Sequence, residues 1–160
     1  MTFDAGQPPV TGSRSETEQP QFTHDAFPTR RLDACVSFYV TFTGLRVVRT
    51  RGEVGSRVVW LAPRAGTTPI FVFVEEPGPP GEVPADEPLL RHLGFEVGSR
   101  PALDALHARL ASAGLGPTPP RDIDDVVGYV TLVRDPDGRV VEFSHGQDVS
   151  PAAWDPPAGA

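Results

Sequence analysis

Two histidines and one glutamate are the residues of this sequence best suited to chemistry. His24 begins the segment HDAF and His92 begins HLGF, so each histidine lies three residues before a phenylalanine. Glu142 lies between Val141 and Phe143 near the carboxyl end of the chain. Neutral imidazoles and a carboxylate suit Fe(II), Mn(II), Zn(II), Ni(II) or Co(II), and open coordination positions would let a substrate bind. We therefore consider His24, His92 and Glu142 candidate metal ligands.

Glu142 lies in a predicted β-hairpin over residues 128–147. The turn is Asp-Pro-Asp-Gly, in which the proline supplies a restricted φ and the glycine a permissive one. Side chains alternate along a strand, so Val141 and Phe143 share one face and Glu142 lies on the other. An acid inside a strand is costly unless it has a partner. The two histidines, or a metal held with them, are the partners we consider.

One order of elements occurs twice along the chain. The first copy is predicted as a strand over 21–28, a helix with the apolar stripe Leu32, Cys35, Val36 and Tyr39, and strands over 45–51, 56–62 and 69–75. The second is predicted as a strand over 89–97, a helix capped by Ser99 with the stripe Leu103, Leu106 and Leu110, and the final hairpin. This order indicates an α+β fold of two modules, in which each sheet packs a helix on one face and leaves the other face to form a cavity.

Strand alternation predicts which side chains face that cavity. In the first strand of the second module, three apolar side chains alternate with His92, Gly94 and Glu96, which share the other face. His24 holds the equivalent place in the first module, so both histidines could face the same space as Glu142. Glu96 is a second candidate acid on the cavity side.

Composition sets the predicted boundaries. Residues 1–19 are polar without an apolar period, and residues 148–160 are mostly Pro, Ala and Gly, so we expect a disordered tail and a flexible tail there. A linker rich in Pro and Gly over 77–88 divides the predicted domain, 20–147, into module 1 (20–76) and module 2 (89–147).

Charge and cysteine content exclude several classes of function. A net charge of −7 argues against a nucleic-acid binder, which would need a basic patch to track phosphates. The single cysteine, Cys35, allows no internal disulfide and is expected to be a buried structural thiol. No apolar run is long enough to span a membrane and no signal-peptide pattern begins the chain, so we expect a cytoplasmic protein with no membrane partner.

Two segments resemble the vicinal oxygen chelate superfamily. The first is His24 followed by RRLDACVSFYVTFTGLRVV, and the second is the hairpin RDPDGRVVEF. The superfamily includes glyoxalase I, methylmalonyl-CoA epimerase, extradiol dioxygenases, fosfomycin-resistance enzymes and bleomycin-binding proteins. The resemblance covers about residues 20–146. It implies two βαβββ modules in a half-open barrel with a shared cavity, often in a homodimer.

The resemblance also implies how a divalent metal would be held. His24 and His92 would bind it from the first strand of each module, and Glu142 from the last strand of module 2. A fourth position falls near Phe73 or Glu75. If Phe73 is there, the site is a facial triad like those of extradiol dioxygenases and other open iron sites. If Glu75 is there, it resembles the four-ligand site of glyoxalases and epimerases.

The activity that follows is a glyoxalase-like, metal-dependent reaction on a small substrate with adjacent oxygens, by lyase, isomerase or oxygenase chemistry. Catechol cleavage ranks low, because Leu132 stands where those dioxygenases have Tyr. In the glyoxalase and epimerase interpretation Glu142 serves as ligand and as catalytic base. The alternative is a metal-free protein of the bleomycin-resistance type that binds a drug or a metabolite in the cavity of a homodimer.

Overall fold

A computed structural model describes residues 22–63, 70–80 and 92–147, so both predicted tails and most of the linker lie outside the described residues. Module 1 consists of β1 (His24–Thr29), α1 (Leu32–Thr43), β2 (Arg46–Arg51), β3 (Val58–Ala62) and β4 (Ile70–Glu75). Module 2 consists of β5 (His92–Glu96), α2 (Arg100–Ser112), β6 (Arg121–Asp122), β7 (Tyr129–Arg134) and β8 (Val140–His145). Neither described helix is long and apolar enough to cross a membrane.

The two modules form two separate sheets of the same design. The strand order is β1-β4-β3-β2 in module 1 and β5-β8-β7-β6 in module 2. In each sheet the first strand pairs parallel with the last strand of its module, and the remaining pairs are antiparallel. The predicted α+β fold of two βαβββ modules is therefore confirmed, with the sheets not closed into a barrel.

The helix ends follow the sequence signals. The helix α1 ends at Thr43 and is capped by Gly44, which has a φ of 73° in the left-handed region that glycine adopts without strain. Ser99 caps α2, because its Oγ accepts a hydrogen bond from the backbone N–H of Ala102 at 3.3 Å. The helices therefore begin and end close to where the apolar stripes begin and end.

A single core joins the two modules. Phe71 of β4 stacks on Phe95 of β5 with ring centroids 5.9 Å apart, and the Tyr39 ring of α1 lies 6.4 Å from the same phenylalanine. Val141 and Phe143 are fully buried in this core, so the alternation of β8 turns Glu142 to the opposite face, as predicted.

Cys35 belongs to this core and has no exposed surface. Burial raises the pKa of its thiol to about 12, although a hydrogen bond with Thr29 acts in the opposite direction. The thiol is therefore protonated at neutral pH, as the predicted structural role requires.

The turn between β7 and β8 is fastened to module 1. The buried carboxylate of Asp135 accepts hydrogen bonds from the Tyr39 hydroxyl at 3.0 Å and from the Arg139 guanidinium at 3.2 Å. It also accepts the backbone N–H groups of Asp137 and Arg139, each at 2.9 Å. The Arg139 guanidinium donates further to the carbonyl of Pro28 in β1. These bonds fix β8, and with it Glu142, relative to module 1.

Candidate functional site

His92 and Glu142 meet on one face of the module 2 sheet. The parallel pairing of β5 and β8 places Gly94 opposite Glu142, two residues along from His92. The His92 Nε2 lies 3.6 Å from the Glu142 Oε2. Glu142 is only 6% exposed, and its other oxygen, Oε1, has no hydrogen-bond partner among the described residues.

This pair has the chemistry of a divalent metal site. A distance of 3.6 Å exceeds that of a hydrogen bond between nitrogen and oxygen, so the two groups converge without satisfying each other. A buried carboxylate oxygen without a partner costs free energy unless an ion, a water or a ligand binds it. Imidazole nitrogen and carboxylate oxygen are both donors that Fe(II), Mn(II), Zn(II), Ni(II) and Co(II) accept. The donor set and the orphan oxygen of Glu142 thus fit a metal.

His24 lies apart from this pair. Its side chain is exposed on β1, and its Nδ1 is 2.9 Å from the hydroxyl of the neighbouring Thr23. Across residues 22–63, 70–80 and 92–147, no group of three or more His, Cys, Asp and Glu side chains is placed to hold a metal ion. Within one chain the structure therefore brings together two of the three predicted ligands.

The fourth ligand position holds neither of the two predicted residues. In module 1, β1 pairs with β4 so that Ala26 lies opposite Val72, as Gly94 lies opposite Glu142 in module 2. Val72 is therefore the residue equivalent to Glu142. Phe73 is fully buried in the core instead. The prediction of Phe73 or Glu75 was wrong because these residues lie one and three places from Val72. A shift by an odd number of residues moves a side chain to the other face of a strand.

Glu75 also lies on the core side of β4, where it has a structural role. Its carboxylate accepts hydrogen bonds from the Arg57 guanidinium at 2.7 and 2.9 Å and from the backbone N–H groups of Arg57 and Gly55. The Arg57 side-chain bonds are the main cause that lowers the pKa of Glu75 to about 2. A carboxylate with this many partners has no need of a metal.

Glu96, the second candidate acid, is also engaged. Its Oε1 accepts the backbone N–H of Gly146 at 2.8 Å, and its Oε2 accepts the hydroxyl of Ser144 at 3.3 Å. These bonds tie the ends of β5 and β8 together. Both oxygens of Glu96 therefore have a hydrogen-bond donor, whereas Oε1 of Glu142 has none among the described residues.

Two cavities lie beside these groups. One, of about 390 Å³, is lined by His92 and by Ala26 of β1, so it lies between the two modules. The other, of about 560 Å³, is lined by Glu142, by Leu132 and by residues of the segment 118–127. This segment is rich in Pro and Asp and lacks an alternating apolar pattern, so the sequence did not predict it as a cavity wall.

The sequence is similar to a known protein family and to a known bacterial protein. The sequence profile described as the Glyoxalase/Bleomycin resistance protein/Dioxygenase superfamily matches residues 21–143. An uncharacterized protein of Pseudomonas aeruginosa is 42% identical over 135 residues, which covers 84% of this chain and 94% of that protein.

Two solved structures share the fold at lower identity. The glyoxylase/bleomycin resistance protein/dioxygenase domain from Frankia is 24% identical with a TM-score of 0.62, over 81% of this chain and 99% of that one. The trypanothione-dependent glyoxalase I of Leishmania major is 19% identical with a TM-score of 0.61, over 80% of this chain and 88% of that one.

Proposed function

This chain belongs to the glyoxalase, bleomycin resistance protein and dioxygenase superfamily, and from that premise we propose that it is a metal-dependent, glyoxalase-like enzyme. Its substrate is a small molecule with adjacent oxygens, and its reaction is of the lyase or isomerase type. The observation that supports this most is the buried Glu142, which meets His92 at 3.6 Å and keeps one oxygen without a described partner.

The residues of module 2 have distinct roles in this proposal. His92 and Glu142 hold a divalent metal, which when bound supplies Lewis acidity toward the substrate oxygens. Glu142 moves a proton at its carboxylate, since a base must lie within hydrogen-bond reach of the proton that it takes. Leu132, opposite Glu142 on β7, provides an apolar wall that keeps water from the carboxylate. Leu132 also offers no proton-transfer group, which disfavours catechol cleavage.

We further propose that the protein is a homodimer in which a second copy supplies His24 to this site. The support is the exposure of His24 and the lack, within the described part of one chain, of a complete three-donor group. Two-fold symmetry makes such an exchange reciprocal, so a dimer holds two sites, each with His24 from one chain and His92 and Glu142 from the other.

Metal content tests the central part of this proposal. Protein purified without chelator and reconstituted with Fe, Mn, Zn, Ni or Co is expected to bind one ion per chain in elemental analysis. Glu142→Ala is expected to lose the ion, because half of the module 2 donor pair is removed. Val72→Ala, at the equivalent place in module 1, is the matched control and keeps it. Absence of metal from the wild-type protein after reconstitution would contradict the proposal.

A second candidate is a metal-free protein that sequesters a drug or a metabolite, as the bleomycin-resistance members of the superfamily suggest. The observation that favours it is the cavity of about 560 Å³ beside Glu142, whose lining is mostly apolar. Ligand binding that is unchanged by EDTA and by His24→Ala supports this candidate. Binding or turnover that requires the metal supports the enzyme.

A further inference from the structure

The cavity beside Glu142 combines an apolar lining with one cation. Its volume of about 560 Å³ falls in the range of small-molecule sites, roughly 300–1,000 Å³. The apolar lining consists of Pro119, Pro120, Ile123, Val127, Val130 and Leu132. Arg121 of β6 lies in the same lining. The cavity therefore offers apolar contacts with a charged group on one side and a carboxylate on the other.

The walls of this cavity are held in place before any ligand binds. The backbone N–H of Thr118 donates to the carbonyl of Leu132 at 2.8 Å, and its hydroxyl accepts the Leu132 N–H at 2.9 Å. On the other side, the Asp124 carboxylate accepts the backbone N–H groups of Val126 and Val127 at 2.9 and 2.8 Å. A preformed cavity binds its ligand with a smaller entropy cost than one that must be ordered.

The guanidinium of Arg121 is available to a ligand. No side chain within 22–63, 70–80 or 92–147 pairs with it, whereas the adjacent Asp122 is paired with Arg100. An arginine keeps its charge at any physiological pH and binds carboxylates with two parallel hydrogen bonds. Because the chain has a net charge of −7, a local cation of this kind favours the binding of an anionic ligand.

The spacing of the strands sets the length of the ligand. One strand, β7, separates β6 from β8, so Arg121 and Glu142 lie on strands about 10 Å apart. A molecule that reaches both therefore has an apolar body between its two polar ends.

We propose that the substrate is an apolar molecule with one anionic group, which pairs with Arg121, and with adjacent oxygens at its other end, beside Glu142. This inference rests on the proposed function, because it names the substrate class of the same site. It also makes a prediction that needs no metal, since the apolar walls and Arg121 belong to the folded chain itself.

The test uses two fluorescent probes with the same apolar body, measured in EDTA. One is 8-anilinonaphthalene-1-sulfonate, which is anionic, and the other is N-phenyl-1-naphthylamine, which is neutral. Arg121→Gln is expected to weaken binding of the sulfonate about tenfold, as the loss of one charge-assisted hydrogen bond does. The neutral probe is expected to bind this variant as it binds the wild type. Arg109→Gln makes the same charge change away from the cavity and is expected to affect neither probe.

A second variant tests the apolar wall. Ile123, which is 44% exposed, tolerates substitution without loss of the core, and Ile123→Asp is expected to weaken both probes about tenfold. Equal affinity of the sulfonate for Arg121→Gln and for the wild type would overturn the pairing of an anionic group with Arg121. A wild-type protein that binds neither probe would overturn the whole inference. Because the probes are measured in EDTA, these failures are distinct from a failure to bind metal.

Discussion

The last strands of the two modules, β4 and β8, have the same place in their sheets but different chemistry. Each pairs parallel with the first strand of its module, and at the equivalent register β4 has Val72 where β8 has Glu142. Both strands also carry a glutamate. Glu75 of β4 has four hydrogen bonds to Arg57 and Gly55, whereas Glu142 of β8 is buried with one oxygen unpartnered among the described residues.

The two glutamates differ in their positions and in the donors around them, and not in their presence on a strand. Glu75 stabilises the fold because its donors are supplied by the chain itself. Glu142 has too few donors, so its desolvated carboxylate costs the chain free energy unless an ion or a ligand binds it. Module 1 has Val72 at the equivalent register, so among the two strands compared only β8 has this cost, which is why we propose that module 2 carries the acid of the site.

The largest expected change in stability is at the turn between β7 and β8, which holds β8 and Glu142 against module 1. Asp135→Ala is expected to lower the free energy of unfolding by about 3–5 kcal/mol, because it removes the acceptor of the buried Tyr39 hydroxyl, one of the acceptors of the Arg139 guanidinium and the acceptor of two backbone N–H groups of the turn. Urea denaturation measures the loss. The exposed Asp125 is the control, and Asp125→Ala is expected to change stability by less than about 0.5 kcal/mol. Equal stabilities for the two variants would show that the turn does not anchor β8 to module 1.

The equivalent positions in β4 and β8 are compared directly by matched leucine variants in EDTA. Glu142→Leu is expected to raise the free energy of unfolding by about 1–3 kcal/mol, since the desolvated carboxylate is removed. Val72→Leu is expected to lower it by less than about 1.5 kcal/mol, as core substitutions of similar volume do. A Glu142→Leu variant that is less stable than wild type in EDTA would contradict the view that this acid is strained without a metal.

The smallest effect is the acid dependence contributed by Glu75. Its pKa is lowered from 4.5 to about 2 in the folded chain, so its contribution to stability is present above about pH 4.5 and is lost as the pH falls toward 2. Glu75→Gln is therefore expected to lose stability less steeply than wild type between pH 4.5 and 2. Urea denaturation at a series of pH values measures both slopes. Parallel curves would mean that Arg57 does not stabilise the ionised form of Glu75.

The fold could be predicted from the sequence because its signals are local. The stripe of Leu103, Leu106 and Leu110 and the cap at Ser99 define α2, and the alternation of Val141, Glu142 and Phe143 gives the face of each side chain. These patterns depend on periodicity alone, which a single sequence contains.

The site could be predicted only in part, because its geometry depends on strand register and on how the two modules pack. Which residue of β4 lies opposite Ala26, the place equivalent to that of Glu142, depends on the pairing of two strands more than 40 residues apart, and one residue of error changes the face. The separation of His24 from His92 depends on how the modules pack, which strand parity does not describe. The sequence did not predict Arg121 as a cavity residue, because the strand that carries it has two residues and therefore no alternating pattern.

The metal content of mixed dimers tests the proposed site, shared between two chains, most directly. His24→Ala and Glu142→Ala are each expected to bind no metal alone. When the two are unfolded together and refolded at equal concentration, half of the dimers contain one chain of each kind, and each of these has one intact site. The mixture is therefore expected to hold about one quarter of the wild-type metal. A mixture that binds none would contradict a site shared between two chains and would place all ligands within one.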